Sequence, residues 1–331
     1  LSTLNQPDRR SWHAQWSGQR VVVVGLGLTG FSVVDTLVEL GCDVLAVAAQ
    51  ATPERIALTE VIGSLALVTE QGPHRAEAAV NFAPEWAVVS PGVSLDDPVV
   101  LALKEAGVPL ISDVDLAWRL RDKNHTIAQW VMVSGGGERE KIAQLAARVL
   151  NAAGTPTLVV GEGHGPLLDA LRDPHPYETL IIVASPASLA WWERFHDHSR
   201  RPLMAVSIQD DAEDSSGVLF DGVCLACVYR RGSGTTEDQV HDAEVVEGAR
   251  AIGVGLDSPG RSDLGLVEGI LVDRAFLEDR ANQAWEISTL DELVEAGWTI
   301  PEELPGILAA VAISRAHDVP PDVIAGVLSL P

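Results

Sequence analysis

The chain has 331 residues, 47% of them hydrophobic, with 47 acidic against 23 basic residues and a formal net charge of −24. That length supports two domains with separate cores, on a prior of roughly 100–200 residues per domain. The negative balance argues against electrostatic binding of DNA or RNA, which needs a cationic footprint.

Lysine occurs three times, at Lys104, Lys123 and Lys141, so arginine carries almost all the positive charge. The cysteines Cys42, Cys224 and Cys227 are too few and too odd in number for a disulfide framework, which fits a reducing compartment. Cys224 and Cys227 form a C-x-x-C within an apolar strand-like run, where positions three apart point to opposite faces. Inert core thiols are therefore expected over a redox or zinc pair. No apolar run reaches about 18 residues and no basic-then-apolar leader opens the chain, so a cytoplasmic protein without membrane association is expected.

In chain order, Val21–Val24 is a β-branched run that ends in Gly25-Leu26-Gly27-Leu28-Thr29-Gly30, and an amphipathic stretch over 31–40 follows: strand, glycine turn, helix. Strands are expected at 44–47, 65–68 and 86–89, alternating with helices, which argues for a parallel sheet. Ser90-Pro91-Gly92 turns at the C-terminal end of its strand, where open α/β sheets place ligands. A helix over 101–106 ends at Gly107. The polar segment 121–125 marks a boundary, giving domains 1–124 and 125–331. A new strand at 130–133 restarts the rhythm, with further strands near 157–160, 180–183 and 225–229 and closing helices at 307–316 and 321–328.

The Gly25–Gly30 turn alone is a weak signal. It is read either as a tight β-to-α turn with no ligand or as a cradle whose amides approach a phosphate at a helix N-terminus. Taken with Ser90-Pro91-Gly92, with Ser112-Asp113-Val114-Asp115-Leu116-Ala117-Trp118, with the second strand-glycine-helix after Val133, and with the segments 165–171, 226–229, 245–253 and 272–276, it resembles the Mur ligase family, D-glutamate-adding branch.

The resemblance implies two doubly wound, mostly parallel α/β sheets: a Rossmann-like domain for a uridine-diphosphate muramoyl substrate, then a P-loop-type central domain for ATP and magnesium. The family's third domain, which brings the amino acid, would begin where this chain stops and is expected to be absent. By resemblance the substrate contacts fall on Gly25, Leu26, Gly27, Leu28, Thr29, Gly30, Ser90, Pro91 and Gly92. The second strand runs out in Ala48-Ala49-Gln50, without the carboxylate that many Rossmann-like sites use for a ribose or base.

The family's phosphate loop, G-T-N-G-K-T-T, falls on Gly135-Gly136-Gly137-Glu138-Arg139-Glu140-Lys141, with Glu138 and Glu140 where a glycine and a hydroxyl residue should be. Gly135, Gly136, Gly137, Arg139 and Lys141 therefore form a degenerate phosphate-binding set, expected to be a structural remnant over a working triphosphate cradle. Such a loop needs small residues, a lysine on the β and γ oxygens and a hydroxyl on magnesium. A carboxylate ~5 Å from a phosphate charge costs roughly 3 kcal/mol at an effective dielectric near 20. By the same resemblance, Ala184 and Ala212 stand at metal-ligand positions, Arg230 and Ser233 replace the adenine-side pattern, and Glu302 and Gly306 replace a histidine and an asparagine before the final helices. No lysine follows Lys141 to serve as the family's carbamylated ligand.

The expected protein is therefore non-catalytic, with no catalytic or metal residues and no cofactor, binding a UDP-N-acetylmuramoyl precursor or a protein partner such as an active ligase. The competing expectation is an active ligase using ATP and Mg2+ to form an amide through an acyl phosphate. Asp210, Asp211, Glu213 and Asp214 are read as a solvated acidic loop, and His196 and His198, spaced i, i+2 where i, i+4 suits helical metal ligands, as surface residues.

Overall fold

The structure is a computed structural model that describes residues 10–194, 199–209 and 217–330. Among these, the strands form two sheets, one of five strands and one of nine, each in its own compact unit. The first unit takes in 10–127, 165–175 and 190–194, and the second takes in the remainder.

In the first unit β1 (Arg20–Val24), α1 (Leu28–Glu39), β2 (Asp43–Ala48), α2 (Pro53–Val61), β3 (Leu65–Val68), α3 (Gly72–Asn81), β4 (Trp86–Val89), α4 (Pro98–Glu105), β5 (Leu110–Ser112) and α5 (Asp113–Leu120) follow one another. The sheet is wholly parallel in the order β3-β2-β1-β4-β5, so the strand order reverses between β1 and β4. That reversal opens a crevice at the C-terminal strand ends. Val22, Val24, Val47, Ala87 and Val89 are buried in one cluster with Val99, Val100 and Leu103 of α4, as a strand covered on both faces requires.

Local chemistry sets the helix starts. Asp97 accepts a hydrogen bond from Val99 N at 2.8 Å and Pro98 occupies the first turn, so α4 begins at Pro98, ahead of the start expected at 101. Ser112 and Asp115 form a reciprocal capping box on α5. Gly27 caps α1 without a side-chain bond and leaves that helix's first amides uncovered.

The second unit begins with β6 (Gln129–Ser134), α6 (Arg139–Ala152) and β7 (Thr157–Gly161). After α7 (Leu167–Arg172), which belongs to the first unit, come β8 (Thr179–Val183) and α8 (Pro186–Arg194). There follow β9 (Met204–Ser207), β10 (Ala226–Arg230), α9 (Gly234–Asp242), β11 (Arg250–Val254), β12 (Asp263–Val267), β13 (Ile270–Asp273), β14 (Trp285–Thr289), α10 (Leu290–Glu295), α11 (Leu304–Ala316) and α12 (Pro321–Leu328). The sheet runs β14-β13-β12-β11-β10-β9-β6-β8-β7, parallel except where β13 pairs antiparallel with β12 and β14. α11, almost wholly buried, packs with α6 in the core of this unit.

The structure departs from the sequence reading in several places. β5, β9, β11 and the antiparallel β12–β14 extension were not expected; β12 and β13 are joined by Glu268-Gly269, both at positive φ, a short hairpin turn. Cys224 lies before β10 rather than within it, its thiol against Gly222 O at 3.8 Å, while Cys227 is buried in β10 and burial pushes its thiol up to about 12. All three cysteines are free, and a thiol so protonated is a poor nucleophile. No described helix is long and apolar enough to cross a membrane.

Candidate functional site

The first unit holds a cavity of about 450 Å³ at the C-terminal ends of β1, β2 and β4. All nine residues assigned from the sequence line it: Gly25, Leu26, Gly27, Leu28, Thr29, Gly30, Ser90, Pro91 and Gly92. The wall is completed by Val47 to Gln50, Val93, Ser94, Arg75 and Asp97.

Tight packing sets the shape of this pocket. Gly25 has φ +96°, and a Cβ on Gly30 would lie 2.1 Å from Gly25 O and 2.7 Å from Ser90 Oγ, so α1 can approach β1 only through glycine here. Ser90 Oγ is buried and has no hydrogen-bond partner among the described residues. The Ser90–Val93 turn is steadied by the Trp191 indole, which donates to Val93 O at 3.0 Å.

At the far wall Arg75 is 4% exposed; its guanidinium donates to Thr69 O at 2.6 Å and pairs with Asp97 at 3.0 Å. Gln50 uses its amide nitrogen on Glu70 Oε1 at 3.2 Å. Arg75 and Asp97 were missed from the sequence. Asp97-Pro98 carries a helix-start signal, but nothing local indicates that the same aspartate pairs across 22 residues with a cavity-lining arginine. Also in this unit, at the N-terminus of α5, burial raises the Asp113 carboxyl to about 7, aided by its neighbour Asp115.

In the second unit β6, a glycine loop and α6 repeat the strand-turn-helix layout, with Gly135 at φ +93° and Gly136 at φ +56°. The side chains at the start of α6 bind one another and their neighbours. Arg139 binds Glu162 Oε2 through Nη2 at 2.6 Å and Nε at 3.0 Å, and donates to Gly136 O at 2.6 Å. Lys141 Nζ lies 3.2 Å from Glu303 and 3.5 Å from Glu138. The bond to Glu303 and the charge of Glu138 raise the Lys141 ammonium's pKa; Glu303 is held low, first by Thr299 N–H and then by Lys141.

Glu138 caps α6 without a side-chain cap bond, and a Cβ on Gly306 would lie 3.1 Å from its Oε2. Glu140 Oε1 accepts from Gln144 at 3.2 Å. A triphosphate with magnesium does not fit this set: it would meet two carboxylates at the helix N-terminus and cations already paired.

Of the other family positions, Ala184 is buried behind β8 with its N–H on Val133 O. Arg230 and Arg231 line a second cavity of about 350 Å³ with residues 254–257 and Pro305, and Arg231 pairs with Asp257 and Asp263. Ser233 Oγ donates to Gln209 O at 3.0 Å. Among the described residues, no three His, Cys, Asp or Glu side chains converge as a metal site. His196, His198, Asp210, Asp211, Ala212, Glu213 and Asp214 lie outside the described residues.

The family model "Mur ligase MurD-like, N-terminal domain" matches residues 19–112. The chain is 44% identical to a UDP-N-acetylmuramoylalanine–D-glutamate ligase of Leifsonia xyli subsp. xyli, over 96% of this chain and 65% of that protein. It is 36% identical to the protein of that name from Streptomyces avermitilis, over 92% and 65%. The chain thus spans just under two thirds of the length of the curated relatives it matches.

In fold, it resembles the crystal structure of UDP-N-acetylmuramate:L-alanyl-gamma-D-glutamyl-meso-diaminopimelate ligase from Neisseria meningitides, with a TM-score of 0.56 at 15% identity over 95% of this chain and 98% of that one. A murein peptide ligase from Psychrobacter arcticus gives 0.51 at 13% identity, over 94% and 68%. With its cavity at the β1/β4 crevice, its second strand-loop-helix unit and relatives of one name along nearly its whole length, the chain belongs to the Mur ligase family, on the MurD side.

Proposed function

We propose that this chain acts in peptidoglycan precursor metabolism by holding a uridine-diphosphate muramoyl precursor in its first unit, and that it does not run ATP-dependent ligation by itself. One observation carries the second half. Both cations of the phosphate-loop segment are tied to carboxylates, Arg139 to Glu162 and Lys141 to Glu303 and Glu138. Charge stabilisation by metal and cationic groups supplies several kcal/mol of the barrier in phosphoryl and acyl transfer, and paired side chains cannot give it without breaking their own bonds.

The test is phosphate release from ATP and magnesium in the presence of UDP-N-acetylmuramoyl-L-alanine and D-glutamate, beside calorimetric titration with that nucleotide. Heat with the nucleotide and no phosphate above background is expected; turnover would reject the reading.

A second reading, an active D-glutamate-adding ligase dependent on ATP and magnesium, is favoured by the name its relatives carry. A protein partner, in particular an active ligase, extends the first reading. Recovery of a ligase in a pull-down with the purified chain, retained after nuclease treatment, would support that extension.

A further inference from the structure

Among the described residues that line the first unit's cavity, the charged ones are Arg75 and Asp97. A guanidinium carries five N–H donors, and the bonds from Arg75 to Thr69 O and Asp97 Oδ2 use two of them. None of its nitrogens is both buried and without a partner, so a ligand in the cavity would replace water on the spare donors. Asp97 Oδ1 is engaged by Val99 N at 2.8 Å, and each carboxylate oxygen can accept a second bond.

The pair is neutral overall and offers both donors and acceptors. A phosphate would be repelled by Asp97 and would find a better place at the uncovered amides of the first turn of α1, where the helix N-terminus favours negative charge. A neutral polar edge that alternates carbonyl oxygens with an N–H matches the pair instead. The end of β2 has no carboxylate to do this, and the Gln50 amide nitrogen is already given to Glu70.

We infer that Arg75, pinned by Asp97 and the Thr69 carbonyl, is a specificity-determining residue that reads the nucleoside end of the nucleotide. It donates to a carbonyl oxygen of a pyrimidine-dione base while Asp97 accepts from the ring N–H. This rests on the reading that the cavity takes a uridine-diphosphate compound.

The experiment is calorimetric titration of the full chain with UMP, UDP and CDP, for the wild type and for Arg75→Met, Arg75→Lys and Asp97→Asn, with circular dichroism to check folding. Wild-type binding of UDP is expected, preferred over CDP. Arg75→Met should weaken UMP and UDP by the same factor, tenfold or more, and shrink the UDP-to-CDP preference. Arg75→Lys should lose nearly as much, because an ammonium lacks the planar fork.

Silence of the wild type towards UDP would remove the reading of the cavity and this assignment with it. Unchanged UDP affinity in a folded Arg75→Met, or a loss that grows from UMP to UDP, would overturn the assignment alone. If Arg75→Met does not fold, Arg75→Lys decides by the same two criteria.

Discussion

The chain contains two versions of one local design, a parallel strand, a glycine turn and a helix, and they differ in the residues just past the glycines. After Gly25-Leu26-Gly27, α1 opens with Leu28, Thr29 and Gly30 and carries no charge in its first turn. After Gly135–Gly137, α6 opens with Glu138, Arg139, Glu140 and Lys141, and these side chains bind each other and their neighbours. Both helices start without a side-chain cap, from an extended Gly27 in α1 and an α-helical Glu138 in α6, and first-turn amides of this kind favour an anion. The first-turn side chains are what set the two places apart.

The largest effect that would break this comparison is at Gly30. Gly30→Ala puts a methyl group against Gly25 O, which forces α1 away from β1; a loss of ~3 kcal/mol is expected in urea unfolding of the first unit, with the cavity lost as well. If stability is unchanged, the close approach is not what shapes the cavity.

Next comes Asp113, whose carboxyl titrates near 7 in the folded chain against an ordinary 3.8. The folded state then holds a proton that the unfolded chain gives up first, so stability falls as pH rises from about 4 to about 7 and is level above that. Asp113→Asn should flatten this window and raise stability at pH 8 by on the order of 2 kcal/mol. Thermal melts of both proteins from pH 4.5 to 8.5 check it; parallel curves would refute the assignment.

A smaller effect is expected on the other side of the comparison. Lys141→Met breaks ion pairs of a lysine whose side chain is 60% exposed, so the loss should stay below ~1 kcal/mol and shrink further in ~0.5 M salt. The smallest is Ser90→Ala. A hydroxyl with no partner contributes little, and stability should move by no more than ~0.5 kcal/mol. A loss above 1 kcal/mol in chemical denaturation would mean that Ser90 Oγ holds the turn.

Distance along the chain decides how much of this was legible before the fold was known. β1, its glycine turn and α1 stand out because a β-branched run, a turn and a 3.6-residue period all lie within about 20 residues. The nine cavity residues came from two short motifs that the sheet order brings together. Arg75 escaped notice because its meaning depends on Asp97 and on the end of β3, neither of which leaves a periodic trace. The antiparallel β12–β14 extension escaped for a similar reason: strands of four or five residues with mixed burial give too short an alternation to separate from loops.

Gly306, on the buried helix α11, has a consequence for the order in which this molecule can be altered. A Cβ introduced there would sit 3.1 Å from Glu138 Oε2, so the carboxylate that also faces Lys141 would have to give by a few tenths of an ångström, whereas trimming Glu138 first leaves Lys141 with Glu303 and frees that room. Side chains at 138 and 306 are therefore expected to couple, a larger residue at 306 costing less once Glu138 has been shortened.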